Sequence, residues 1–146
     1  MIDRKFIGHE LPASVLQIER GRLAFFAKAI GETNPVYTDP AAARDAGYAD
    51  LPAPPTFLFS AELDSGGTER LLSDLDVPIA KILHGEQSFS YLKPVVAGDT
   101  VVVRSRITDI YDKKNGALEF IIRQSSAVNQ HGETVAEMRT VIVVRN

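Results

Sequence analysis

Glu32 and Tyr37 flank an Asn34-Pro35 turn in the stretch GETNPVYTDPAAARDAGY, residues 31–48. A carboxylate and a second polar side chain across such a turn have the outline of a site that holds and deprotonates water. The second group is a phenol, whose unperturbed pKa is about 10. Near neutral pH it can orient water by hydrogen bonding, but it is no substitute for a histidine base. Read without further context, Glu32 is also consistent with a solvated loop carboxylate, and Tyr37 with an aromatic packed under the loop.

Other titratable groups lie farther along. Strict alternation through IAKILHGEQSFSYL puts Leu83, Phe89 and Tyr91 on one, core-facing side and His84, Glu86, Ser88 and Ser90 on the other. Glu86 could then orient the His84 imidazole, and Gly85 marks a candidate bulge. The alternative for His84 is a hydrogen-bonded strand histidine at a subunit contact. Glu62 and Asp64 close the apolar segment TFLFSAEL and read as solvated or capping groups. His9 and His131 are expected to be exposed and idle. No two histidines have metal-ligand spacing and the chain has no cysteine, so neither a metal nor another cofactor is expected. Gly66-Gly67 lacks the following lysine of a phosphate cradle and reads as a helix break.

The elements that must position these groups follow from periodicity. Leu23, Phe26, Ala27 and Ile30 recur at helical spacing, and Gly31 supplies a stop. SVLQI before that helix suits an edge strand. A short helical turn is expected at Pro40 to Ala46, with Asp39 as its N-cap. LPAPPTF is punctuation, and Pro55-Thr56 suits the start of a buried helix through TFLFSAEL. A second helical piece, capped at Thr68, follows. From Ile79 onward the chain reads as about four β-branched strands, joined by PVVAGD, KKNG and NQHGE. An antiparallel meander with its helices on one face is an α+β arrangement.

Composition sets the limits. With 146 residues, 45% hydrophobic, 24% charged and a net charge of −3, the chain suits one domain spanning residues 1–146 with a real core. Nothing provides the basic face that nucleic acid or an anionic membrane would need. MIDRKFIGHELP has no apolar signal core, and no run approaches the roughly 20 residues of a bilayer span. A soluble cytoplasmic protein is the expectation.

GETNPVYTDPAAARDAGY resembles the signature of the MaoC-like (R)-enoyl-thioester hydratases and dehydratases, Gly-Asp-x-Asn-Pro-x-His-x-Asp. LPAPPTF and ILHGEQSFSYLKPVVAGDTV are similar to the N-terminal MaoC, or FAS1-like, dehydratase branch. The likeness runs over almost the whole chain and implies a hot-dog fold, an antiparallel sheet wrapped around a central buried helix. It also implies addition of water to an enoyl thioester carried by CoA or acyl carrier protein, or the reverse. Glu32 stands at the family's catalytic aspartate and Tyr37 at its catalytic histidine, while Asn34 and Pro35 match directly. Thr56 stands near the glycine whose amide supports the thioester carbonyl, and His84 falls in the HGEQ piece of the pattern. The resemblance therefore assigns Glu32 and Tyr37 to catalysis and Asn34, Thr56 and His84 to substrate binding.

Three readings follow. The chain is a hydratase or dehydratase with Glu32 as base, working as a dimer. Alternatively it is a non-catalytic subunit that holds the acyl group beside a partner bearing the Asp/His dyad. The third is a hot-dog acyl thioesterase using Glu62 or Asp64, which leaves the NPVY turn unexplained.

Overall fold

The computed structural model of the protein describes residues 1–146. A five-stranded antiparallel sheet is built from β1 (Ser14–Gln17), β2 (Ile82–Tyr91), β3 (Thr100–Lys113), β4 (Leu118–Asn129) and β5 (Thr134–Arg145). Its spatial order is β1-β3-β4-β5-β2. The meander therefore holds only for β3, β4 and β5. Instead of pairing with the next strand in the chain, β2 crosses to the far edge and pairs with β5. Both hairpin loops form where expected, with Lys114 and Asn115 both left-handed (φ 55° each) in the first. As expected, β1 is an edge strand, paired with β3.

The helices are α1 (Arg20–Ala29), α2 (Pro40–Asp45), α3 (Ser60–Asp64) and α4 (Gly67–Asp74). Leu23 and Ala27 of α1 are fully buried, whereas Ile30 lies beyond its end, 51% exposed. A long uninterrupted buried helix does not form. A 3-10 turn over Phe57–Phe59 leads into α3, Gly66 breaks the path, and α4 begins there rather than at a Thr68 cap. The sheet curls around this broken segment in the hot-dog arrangement. No helix is long and apolar enough to cross a membrane.

Gly85 changes which way β2 faces. The β2–β5 register slips between His84 and Glu86, so Ile82, His84, Gln87, Phe89 and Tyr91 pair with the inward positions Val144, Ile142, Thr140, Met138 and Ala136. Strict alternation had placed His84 with Glu86 on the polar face. The bulge inverts that parity, placing the still-exposed His84 on the same side as Ile82 and Phe89 and leaving Leu83 46% exposed. A side chain at Gly85 would put its Cβ 2.8 Å from Val143 Cγ2, so the close strand approach itself demands glycine.

The interior is divided. One apolar cluster gathers Leu23, Leu51, Phe57, Leu58 and Ala61 with Val101, Val103, Ala127 and Met138. A second gathers Leu11, Leu71, Leu72 and Leu75 with Ile107, Ile121, Ile142 and Val144. Between them the inward positions of four neighbouring strands are polar: Ser105, then Ser125 and Arg123, then Thr140, then Gln87. Glu62 drops into this belt from α3. It is 2% exposed, and its Oε1 accepts hydrogen bonds of 2.5 Å from both Ser105 and Ser125. Arg123, 1% exposed, brings Nη2 to 2.6 Å from Glu62 Oε2 as an ion pair. The expectation of a solvated or capping Glu62 is thus overturned, because a buried cation 61 residues away in sequence claims it. Asp64 behaves as expected of an exposed carboxylate, pairing with Arg22 at 2.6 Å. His9 is not idle: its Nε2 lies 3.1 Å from Asp74 Oδ2, tying the N-terminal arm to α4.

Candidate acyl-thioester site

Glu32 owes its place to the way α1 ends. Gly31 is left-handed (φ 73°), its N–H bonds the Lys28 carbonyl, and the Glu32 N–H bonds the Ala27 carbonyl. This double closure is a Schellman motif, which fixes the direction in which the chain leaves the helix. The Glu32 carboxylate then folds back on its own loop, with Oε1 accepting from the amides of Thr33 (2.8 Å) and Asn34 (2.9 Å). Asn34 caps the 3-10 turn Pro35–Tyr37 through a 3.2 Å bond from the Val36 amide, and Asp39 caps α2 as expected. The Asn34 side-chain oxygen is therefore committed to the turn.

Tyr37 is half-buried and reaches a pocket of about 280 Å³, whose walls include Tyr48, Pro54, Leu58, Tyr91 and Lys93. Burial raises the Tyr37 pKa above its usual value, and the neighbouring Glu32 charge adds to the effect, followed by Tyr48 and Tyr91. The hydroxyl stays protonated through the physiological range and is available as a donor. No histidine lines this pocket.

Thr56 precedes the buried segment in a left-handed conformation (φ 76°), which a β-branched residue adopts only under strain. Glycine takes that conformation freely, which accords with Thr56 standing near a family glycine. Its amide donates a 2.8 Å hydrogen bond to the Tyr91 hydroxyl. Burial also raises the pKa of Tyr91, partly offset by that bond. Tyr91 stacks on Phe89 with ring planes 5° apart and ends β2 beside the Lys93-Pro94 turn. Sequence reading treated it only as a core aromatic. Its signal is the strand parity that points it at the start of the buried segment, which the Gly85 bulge does not disturb.

His84 belongs elsewhere. It packs on Phe59, ring centroids 5.1 Å apart, and lines a separate cavity. Glu86 does not orient it, being paired with Arg139 at 3.0 Å. The structure thus gathers Tyr37 and Tyr91 about one pocket, with Glu32 and Thr56 at hand through them, and leaves His84 outside it. No three His, Cys, Asp or Glu side chains come together as a metal site would require.

Residues 5–138 match the family model described as FAS1-like, dehydratase domain region. A UPF0336 protein of Thermobifida fusca is 37% identical over 146 residues, covering 99% of this chain and 94% of that one. Among solved structures, a chain of the C-terminally truncated HadBC (3R-hydroxyacyl-ACP dehydratase) complex from Mycobacterium tuberculosis superposes with a TM-score of 0.79. It is 27% identical, and the match covers 94% of this chain and 96% of that chain. The (R)-hydratase from A. caviae, 20% identical, shares the fold with a TM-score of 0.70 over 93% of this chain and 94% of its own.

Proposed function

The chain belongs to the FAS1-like dehydratase domain family, and from that premise we propose that it is the acyl-holding subunit of a two-chain (3R)-hydroxyacyl-thioester dehydratase. In this reading it is a single domain acting in the cytoplasm on CoA- or carrier-protein-linked acyl groups. Its partner is a second MaoC-like chain that supplies the Asp/His dyad. One observation carries the reading. Where the reaction needs a base there is a phenol, Tyr37, whose proton is held more firmly by burial and by Glu32. The pocket beside it offers apolar walls, and Tyr91 on that wall links it to the Thr56 amide, which suits holding a thioester rather than activating water. The similar HadBC structure is itself a complex, which supports a two-chain assembly.

An autonomous hydratase is the second reading, favoured by the placement of Glu32 next to Tyr37 in one loop. There Glu32 would release its loop amides and take the proton from water that Tyr37 orients, most simply in a homodimer. Thioester hydrolysis by Glu62 fits poorly, because both of its oxygens are engaged and the group is shut away from solvent.

Hydration of a short enoyl-CoA, followed by loss of the conjugated absorbance, tests the proposal. The purified chain alone should give no turnover, and adding a dyad-bearing MaoC-like chain from the same organism should restore it. Turnover by the chain alone that disappears in Glu32→Gln would overturn the subunit reading in favour of the second.

A further inference from the structure

We infer that Glu62 is a positioning residue for the candidate site: it anchors the segment that follows Thr56 and so holds the Thr56 amide where a thioester carbonyl can meet it. What that amide holds rests on the function proposed above. How it is held stands on the geometry alone.

Thr56 is an exposed β-branched residue at φ 76°, and its own side chain makes no hydrogen bond to the turn it precedes. A residue keeps so strained a conformation only where the chain around it over-determines it. Upstream, the Ala53 N–H donates to the Val95 carbonyl at 2.8 Å, and Pro54-Pro55 stiffen the approach. Downstream, the 3-10 turn Phe57–Phe59 runs directly into α3, so residues 57–64 form one short helical rod. The Phe59 N–H closes on the Thr56 carbonyl at 3.1 Å, which joins Thr56 to that rod. The rod's orientation therefore decides where the Thr56 amide points.

Phe57, Leu58 and Ala61 bury one side of the rod, but apolar contact has no direction and tolerates rotation or sliding. Glu62 removes that freedom. Its carboxylate meets Ser105 on β3 at 2.5 Å, and Ser125 and Arg123 on β4 at 2.5 and 2.6 Å. One side chain is thus fixed to two strands. Stability does not account for the arrangement. Arg123 Nε and Nη1 are buried with no acceptor, and buried ion pairs gain little over apolar residues of similar volume. What the three contacts supply is direction. Without them the rod can turn and Thr56 can relax toward negative φ, drawing its N–H away from the Tyr91 hydroxyl that it now meets at 2.8 Å.

The test is Glu62→Leu/Arg123→Met, which removes the anchor and fills its volume. In the ¹⁵N-labelled chain, the Thr56 amide resonance and its HN–Hα coupling report position and φ. The expected result is a shifted resonance and a changed coupling, with a urea midpoint close to wild type. Affinity for a non-hydrolysable enoyl-CoA analogue, by calorimetry, should fall about fivefold, the contribution of one neutral hydrogen bond. Ser105→Ala/Ser125→Ala keeps the ion pair and should move the resonance the same way but less; it decides alone if the first variant does not fold. Ile107→Val, a small cavity in the other apolar cluster, should lower stability and leave Thr56 where it is. An unmoved Thr56 in a folded variant lacking the anchor overturns the positioning role. So does an equal shift in Ile107→Val, which would reduce the effect to general loosening. A moved Thr56 with unchanged affinity supports the positioning and counts against the thioester reading instead. If the wild type binds no analogue, the thioester reading fails and the Thr56 resonance alone decides the positioning.

Discussion

The Tyr91 hydroxyl occupies the Thr56 amide through a 2.8 Å hydrogen bond, so the donor proposed to hold a thioester carbonyl already has an acceptor from the protein itself. An incoming carbonyl must displace the phenol. Tyr91→Phe removes the competitor and keeps the stacked ring. A neutral hydrogen bond contributes roughly 1 kcal/mol net, so affinity for a non-hydrolysable enoyl-CoA analogue should rise about fivefold by calorimetry. Weaker binding would instead mean that the Tyr91 O–H holds the carbonyl directly.

Tyr37→His restores the side chain that the family pattern places there. Positioned acid–base groups contribute about 10²–10⁴-fold to rate. The substituted chain, assayed alone, should hydrate enoyl-CoA at least ~10²-fold above wild type. Its rate should rise with pH through about 6.5 as the imidazole loses its proton. A rate no higher than wild type would show that more than the base has been lost from this loop.

Gly85→Ala forces a Cβ against Val143 Cγ2 at 2.8 Å and the Val141 carbonyl oxygen at 3.2 Å. Overpacking of this kind costs about 1–3 kcal/mol. Urea denaturation should report that loss, and Val143→Ala in the same chain should recover part of it by removing the first clash. Equal stability of wild type and Gly85→Ala would contradict the close strand approach.

Arg123 and Glu62 should behave asymmetrically. Burial pulls the Arg123 pKa down, and the Glu62 charge opposes that pull. Arg123→Met alone strands a buried carboxylate, and breaking such a pair costs about 3–5 kcal/mol. Replacing both with apolar residues of similar volume should be close to neutral. Denaturation midpoints of the two variants check this, and equal midpoints would rule out strong coupling.

Acid sensitivity has a definite source at Asp50. The Arg20 hydrogen bonds, supported by the Leu51 amide, hold its pKa down at about 2 against an ordinary 3.8. A depressed carboxyl pKa contributes stability that is present above pH ~4 and is lost as pH falls through about 2. The wild-type melting temperature should therefore fall more steeply between those values than that of Asp50→Asn. Asp50 is half-buried but its Arg20 partner is exposed, so the difference should be small and should shrink in high salt.

Local features were legible because their causes are local. The helical spacing of Leu23 and Ala27, the Gly31 stop, the Asp39 cap and both hairpin loops all rest on neighbouring residues. What escaped depends on distant ones. Nothing near β2 says that it pairs with β5 rather than β3, and parity along it fails at Gly85, where one extra residue inverts Leu83 and His84 relative to Phe89 and Tyr91. Glu62 looked solvated because its partner lies on β4. That strand did carry a signal: the inward positions Glu119, Ile121, Arg123, Ser125 and Ala127 set a cation in the core, which calls for a buried counter-charge. In the candidate site the NPVY turn was readable from its own residues, whereas the Tyr91–Thr56 bond joins positions 35 residues apart.

The polar belt also bears on how the molecule opens. It separates two oil-like compartments, and the one that includes Leu11, Leu71, Leu72 and Leu75 lies on the side remote from the Tyr37 pocket. Transient loosening of α4 and the N-terminal arm can therefore admit solvent to that compartment while the other stays sealed. Amide protons in α4 would then exchange with solvent as one cooperative group, earlier than those of α1. The half that surrounds the Tyr37 pocket would keep its shape through such excursions, with fluctuation confined to the half built around α4.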